Sequence, residues 1–590
     1  TAIVVNSTGD EPDFENNSTC ETAAGNGVCT LRAAIEHAND LQSIHGTVIT
    51  FNIDHSPSYA PTIIYVGSAL PGLMVAGTTI QGPNLHDNSV LVLDGMGGSY
   101  AGLEVRANNC AIKKLTIANF GDSGISVGFA TGDPVSGMLI TGNKIGNMIP
   151  MGIIDKPNGV GIKLRNTVSS VIGGDTLAES NVIAGNTSYG IYMLDSATNV
   201  VKGNYIGVKD DGMTALPNST GVYVSNSTGN TIGGSTAGRR NVISGNASNG
   251  VFVVGNENVV MGNYVGTDIS GTVAIPNGNI GVRIGNGGEA VSSGNIIGGS
   301  AAGEGNLISG NGSYGIQAVV SDLTTIQGNT IGLNASKTAA IPNLYGISLS
   351  SALNNFIGGT VAGAGNVISG NTRQGIFVGS DCLNTSIRGN FIGVNSVGQA
   401  LGNGMDGIVV QYASETNIGG INDPYENTIA HNGGNGIEIE SAYAKVMGNK
   451  IYGNSQLGID VWRQIPQQGV TPNDPDESDD IQNFPIIKKV SFPSPGKVLL
   501  AVEVPTLEDE DLDVFFFASE SCDPSGHGEG QVYLGYVPDI AVGGLAEFVI
   551  NLTLPDAFMF YTATAWGPSM GQSEFSACKS ASTYLPSIFR

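Results

Sequence analysis

Residues 241–251 read NVISGNASNGV, and close copies begin at Asn181, Asn306, Asn366 and Asn427. The phrase carries no charge. Val242 and Ile243 read as a short strand, Gly245 and Asn246 as a corner, and Gly250-Val251 as the start of the next strand. A phrase returning about every sixty residues marks a stacked coil rather than a site made five times.

Three markers set the period. Gly-(Ile/Val/Leu) occurs at Gly102, Gly124, Gly161, Gly190, Gly221, Gly250, Gly281, Gly315, Gly346, Gly375, Gly407, Gly436 and Gly458. The first and last intervals are 22 residues and the others run from 29 to 37, so a bare coil is extended by inserted loops. Gly-Asn recurs at Gly142, Gly203, Gly262, Gly328, Gly389 and Gly448, and Ile-Gly-Gly begins at Ile172, Ile232, Ile297, Ile357 and Ile418, each once per two coils. Apolar residues alternate over very short spans, as in Ile191-Tyr192-Met193 and Val222-Tyr223-Val224. Period two over three residues, punctuated by Gly and Asn, means short strands and tight turns. The expectation is an all-β parallel β-helix of about thirteen coils, on the order of 60 Å long at about 4.8 Å per coil.

The asparagines keep two phases, one through Asn186, Asn246, Asn311, Asn371 and Asn432, the other through Asn143, Asn204, Asn263, Asn329, Asn390 and Asn449. Stacked amides hydrogen-bond along the coil axis, so each phase predicts a buried row. Glycosylation sequons at Asn186 and Asn246 fall inside a row, whereas those at Asn218, Asn226 and Asn334 read as loop sites.

Composition narrows the class. Gly is 87 of 590 residues, charged residues are 13%, and hydrophobic residues are 41%, which excludes a disordered chain and, without a Gly-X-Y period, collagen. A net charge of −26 repels nucleic acid and anionic membrane. No apolar run is long enough to span a bilayer. The opening TAIVVNSTG, without Met, is that expected of a secreted product after signal removal. Cys20 with Cys29, and Cys522 with Cys578, read as disulfides of an oxidising compartment, leaving Cys110 and Cys382 as free thiols.

A solenoid needs capped ends. In CTLRAAIEHAN, Leu31, Ala34, Ile35 and Ala38 share one helical face after the N-cap candidate Thr30, predicting a helix over 31–39. Cys29-Thr30-Leu31-Arg32-Ala33-Ala34-Ile35 resembles the Cys-Ser-Leu-Arg-Glu-Ala signature of secreted bacterial parallel β-helix repeat proteins, with Ala33 in place of the Glu. The resemblance implies a right-handed coil and export, and little chemistry. Residues 1–100 are read as capping region and first coils, 101–465 as the β-helix, 466–483 as an acidic linker, and 484–590 as a β-sandwich of Ig-like type. The last region holds five alternating strands, at 498–504, 513–519, 531–537, 546–554 and 558–566.

Candidate chemistry is sparse. GDSG at Gly121–Gly124 lacks triad partners, and the six His show no metal spacing. The residue between the two inward positions of each marker strand faces outward, giving the series Glu104, Ser126, Lys163, Tyr192, Tyr223, Phe252, Arg283, Gln317, Ser348, Phe377, Val409, Glu438 and Asp460. Tyr192, Tyr223, Phe252 and Phe377 form an aromatic row suited to a sugar or a partner surface. Glu438 and Glu440 face Asp460 one coil on, and Glu438 with Asp460 at about 5 Å would match the carboxylate spacing of a retaining glycosidase. Lys163-Leu164-Arg165 is the one compact site for a lyase base. Asp474, Asp476, Glu477, Asp479 and Asp480 in the linker are candidate Ca²⁺ ligands, although EF-hand spacing is missing. Two functions follow: an extracellular structural or adhesive β-solenoid that joins head to tail into a filament or surface layer, and a secreted carbohydrate-active enzyme, either glycoside hydrolase or polysaccharide lyase. Partners are further copies of the chain or surface polysaccharide.

Overall fold

The computed structural model describes residues 1–590 except 15–18, 42–45, 54–60, 84–89, 148–155, 289, 422–423, 464–468, 475–479, 495–496, 506–510, 541–544, 552–559 and 581–590. Among the described residues the chain is all-β apart from one α-helix and short 3-10 turns, and it forms two compact units, Thr1–Ser313 and Tyr314–Arg590.

Each unit contains three parallel sheets in which every strand pairs with its counterpart one coil on, which is a parallel β-helix. The Gly-(Ile/Val/Leu) marker opens the strands of one of these, called here the third sheet. It contributes seven strands to the first unit, from Leu103–Val105 to Val282–Ile284, and six to the second, from Tyr314–Val319 to Ile459–Trp462. Inward columns are aliphatic throughout. Ile162, Ile191, Val222, Val251 and Val282 stand in register and have no exposed surface. Burial of each such side chain is worth about 1.5–3 kcal/mol, supplied coil by coil rather than by one central core.

The marker must be glycine because the chain doubles back tightly there. A Cβ on Gly221 would lie 2.6 Å from the Gly250 carbonyl and 2.9 Å from the Asn246 amide nitrogen. At the corner, Gly245 takes φ +72, a left-handed conformation that side chains disfavour.

The asparagine rows exist and are denser than the double-coil period predicts. Asn186 is followed by Asn218, then Asn246, Asn277 and Asn311, with Nδ2-to-Oδ1 bonds of 2.8, 3.0, 2.9 and 2.9 Å. The Oδ1 of Asn218 and of Asn277 also accepts a backbone N–H, from Asn186 at 3.1 Å and from Asn246 at 3.2 Å, and each second Nδ2 proton goes to a carbonyl of another coil, as from Asn246 to Ile206 at 3.3 Å. The other predicted phase likewise interleaves, running Asn143, Asn181, Asn204, Asn241, Asn263 and Asn306. A third row, Asn199, Asn230, Asn258 and Asn295, follows another corner. The second unit has rows from Asn329 to Asn449 and from Asn343 to Asn454.

Asn218 is therefore not a loop glycosylation site. It is 1% exposed and fills a row position, because the Leu-Pro-Asn that ends an inserted loop returns the chain to the corner. Those loops are hairpins, closed by Val208–Ala215, Thr267–Ala274, Leu333–Ala340 and Val394–Ala400 bridges and held by turn residues Asp211, Asp268, Asn334 and Asn395.

At the start, the helix spans Leu31–Asp40 with Thr30 as N-cap, its hydroxyl accepting from the Ala33 amide at 3.0 Å. It packs on strand Ala2–Val5. Both expected disulfides form, and Cys110 and Cys382 are free and buried. At the end, the expected strands appear as Lys497–Glu503, Leu512–Ser519, Val532–Ile540, Leu545–Asn551 and Phe560–Gly567, joined by Ile486–Ser494 and two short strands. They build two antiparallel sheets sharing one core, with Val498 and Leu500 on one side and Val514, Phe516 and Ala563 on the other. Cys522–Cys578 joins segments beside strands of one sheet, unlike the inter-sheet bridge of antibody domains.

Asn246→Ala leaves one proton of the Asn218 side-chain amide without its acceptor inside the first unit, while the Ile206 carbonyl keeps its bond from the Ser244 N–H. It is expected to cost about 1–3 kcal/mol in denaturant melts, whereas Asn279→Ala at an exposed position changes little.

Candidate functional site

The register of the third sheet follows the series read from the sequence, although Ser348, Val409 and Asp460 are buried rather than exposed. In the first unit Glu104, Ser126, Lys163, Tyr192, Tyr223, Phe252 and Arg283 are register neighbours; in the second, Ser348, Phe377, Val409, Glu438 and Asp460 are.

The aromatic residues of the first unit stack on one another. Tyr192 and Tyr223 lie 5.3 Å apart with an interplanar angle of 4°, Tyr223 and Phe252 lie 4.9 Å apart, and the Arg283 guanidinium covers Phe252 at 4.9 Å. Tyr189 adds a ring 5.0 Å from Tyr223. Stacking consumes the ring faces that a sugar would need and leaves edges outward. Phe377 stands apart from this stack, between Ser348 and Val409. Lys163 is paired with Asp122 at 3.0 Å, so it is not a free base.

The carboxylates at the far end come together. Glu438 is the register partner of Asp460, and Glu440 that of Trp462. Trp462 Nε1 donates to Glu438 at 3.2 Å, Asn435 Nδ2 donates to Asp460 at 3.0 Å, and Gln411 donates to Glu440. Asp406, which the sequence reading did not single out, accepts from the Asn435 amide at 2.7 Å. Asp460 is 6% exposed and its Oδ1 is buried without a hydrogen-bond partner. Burial, then the charges of Glu438 and Asp406, push Asp460 up to about 7. Burial likewise raises Glu438, with Asp406 adding to it, and raises Asp406 itself. Arg463 turns away, binding the carbonyls of Asp480 and Met570 and covering Tyr443.

Two further carboxylates come from the C-terminal module. Glu529 Oε1 accepts from the Asn454 amide at 3.0 Å and from its side chain at 3.2 Å, and Oε2 accepts from Gly453. Glu529 thus occupies the place where the next asparagine of the row would stand. Glu574 accepts from Val461 at 3.4 Å and Thr471 at 3.0 Å, and burial pushes it up to about 8. Both residues lie outside any repeat, and no local pattern signals them.

Of the linker acids, Asp476, Glu477 and Asp479 lie outside the described residues. Asp474 exchanges backbone bonds with the Asn483 side chain, and the Asp480 carbonyl serves Arg463. Among the described residues no cluster of His, Cys, Asp and Glu suited to a metal is present, and no helix is long and apolar enough to cross a membrane. A cleft of about 530 Å³ beside the last coils is lined by Asn417, Tyr443, Lys445 and Trp566, with the Lys445 ammonium 3.6 Å from the Trp566 ring centroid and 3.0 Å from Asp513.

Neither a family model nor a curated relative matches the sequence. Among solved structures, the chain is similar to the A-module of the Azotobacter vinelandii mannuronan C-5 epimerase AlgE4, at 14% identity and TM-score 0.34, covering 75% of this chain and 95% of that one. It is also similar to the periplasmic alginate epimerase AlgG, at 12% identity and TM-score 0.32, covering 71% and 77%. PfbA, a surface adhesin of Streptococcus pneumoniae, matches at 12% identity and TM-score 0.30, covering 81% and 95%. Likeness at this level assigns no activity.

Glu529→Ala leaves the Gly453 and Asn454 N–H groups without their acceptor. It is expected to destabilise the second unit by about 2–4 kcal/mol, and Glu529→Gln by less, because its one oxygen still accepts from Asn454 while the Gly453 N–H loses its acceptor. Denaturant melts followed by tryptophan fluorescence measure this, since the protein's 2 tryptophans, Trp462 and Trp566, both lie in that unit.

Proposed function

We propose that the chain is an extracellular structural or adhesive β-solenoid. The observation that carries this reading is the unbroken amide row of the second unit, terminated by Glu529, which gives rigidity with no ligand to complete it. The disulfides and the low charge density agree with an oxidising, extracytoplasmic setting, as does the resemblance around Cys29–Ile35. Because the last coil is closed by the C-terminal module, head-to-tail assembly would use outer faces rather than a bare strand edge. An adhesive contact would meet the exposed ring edges of the Tyr192–Phe252 column.

One observation favours a second reading, a secreted glycoside hydrolase. Glu438 is half-buried, lies in register with Asp460, and both hold protons more tightly than ordinary carboxyls, as an acid and its partner in glycoside hydrolysis do. The solvent-excluded Oδ1 of Asp460 weighs against it, since substrate cannot reach that oxygen unless the cover moves.

Electron microscopy of protein purified from its source without chelator separates the two. Filaments or surface lattices are the expected result. Single particles throughout, together with polysaccharide cleavage that disappears in Glu438→Gln, overturn the structural reading in favour of the hydrolase.

A further inference from the structure

The C-terminal module meets the last coils through a backbone bridge between Ile451 and Gly530, the Lys445–Asp513 pair, the Gln572 side chain and two buried acids. Glu529 closes the asparagine row at Gly453 and Asn454, and Glu574 takes the Val461 and Thr471 amides. Beneath Glu574 lies Asp460, beside it Glu438, and one coil back Asp406. Among the described residues no salt bridge includes Asp406, Glu438, Asp460, Glu529 or Glu574.

The other charged groups around this seat are already engaged. Arg463 binds two carbonyls, Lys445 is paired with Asp513, and Lys450 with Glu426. His527 is bonded through Nδ1 to the Phe575 carbonyl. Glu440 takes Gln411, and Asp523 adds negative charge beside Glu529. Like charge links Asp406, Glu438, Asp460 and Glu574, which cannot all ionise in place, whereas Glu529 stands outside that group beside Asp523.

We propose that this seat is a pH-operated latch: with its carboxyls protonated the module closes the last coil, and their ionisation lifts the module and opens the Gly453, Asn454 and Val461 amides to solvent. The sign follows from linkage. Each acid binds its proton more tightly when seated than when free, so the seated state loses stability as pH rises from the ordinary carboxylate range through the seated values, about 7 for Asp460 and about 8 for Glu574. The latch is closed at acid pH and loosens above neutrality. It is independent of whether the solenoid is structural or enzymatic.

Amide hydrogen exchange on the full chain, normalised to intrinsic rates, tests this. Between pH 6 and pH 9, peptides from 451–462 are expected to lose at least threefold in protection, while peptides from 200–206 in the first unit do not change. Asp460→Asn, which keeps the shape of the protonated acid, should at least halve that loss, and so should Glu438→Gln, which is read alone if Asp460→Asn does not fold. A change under threefold in the wild-type chain, an equal loss at 200–206, or variants that retain the full wild-type loss each overturn the latch.

Discussion

An asparagine amide carries two donors and an acceptor with two lone pairs, and the whole fold rests on using all of them. In the row through Asn246, one proton goes to the next asparagine and the other to a carbonyl on another coil, while the oxygen receives the previous amide. That geometry works only if every coil has the same pitch and places an asparagine at the same corner. Glycine follows as a consequence, since Gly221 stands where a Cβ would strike both a neighbouring carbonyl and the row itself. A row built from groups that both give and receive has no natural end. Glutamate ends it at Asn454, where its two carboxyl oxygens accept from the Gly453 and Asn454 N–H groups and from the Asn454 side chain.

The same economy shapes the surface. A chain with a net charge of −26 nevertheless gathers five carboxyl groups at its last coils, four of them buried and Glu438 half-buried. Desolvation, more than any single neighbour, raises their proton affinities, and like charges add to it. Perturbed acids often mark catalytic sites, but a buried packing interface perturbs them too. What separates the two here is access: Glu438 meets solvent, whereas Asp460 Oδ1 does not. The aromatic column shows a parallel effect, because rings stacked at 4.9–5.3 Å stabilise one another at the expense of free faces.

Much of this was legible in residue order. Every Gly-(Ile/Val/Leu) marker begins a third-sheet strand, the outward series reads in register down each unit, and Thr30 caps the one helix. The hairpins were seen only as inserted loops, so the asparagines at their ends, Asn218 and Asn277, were not placed in the row. Asp406 escaped notice because it lies just before its marker glycine, on the turn rather than on the strand.

Periodicity alone determined the coil, its inward columns and the existence of amide rows, since those contacts repeat at every turn and leave a repeating trace. The end of the solenoid was decided by tertiary structure. Glu529 reaches a residue 75 positions earlier and Glu574 one 113 positions earlier, from irregular segments between the strands of the module. A contact made once, between distant segments, imposes no period on either of them. The chemistry of the far end, buried and proton-holding, arises from that single docking.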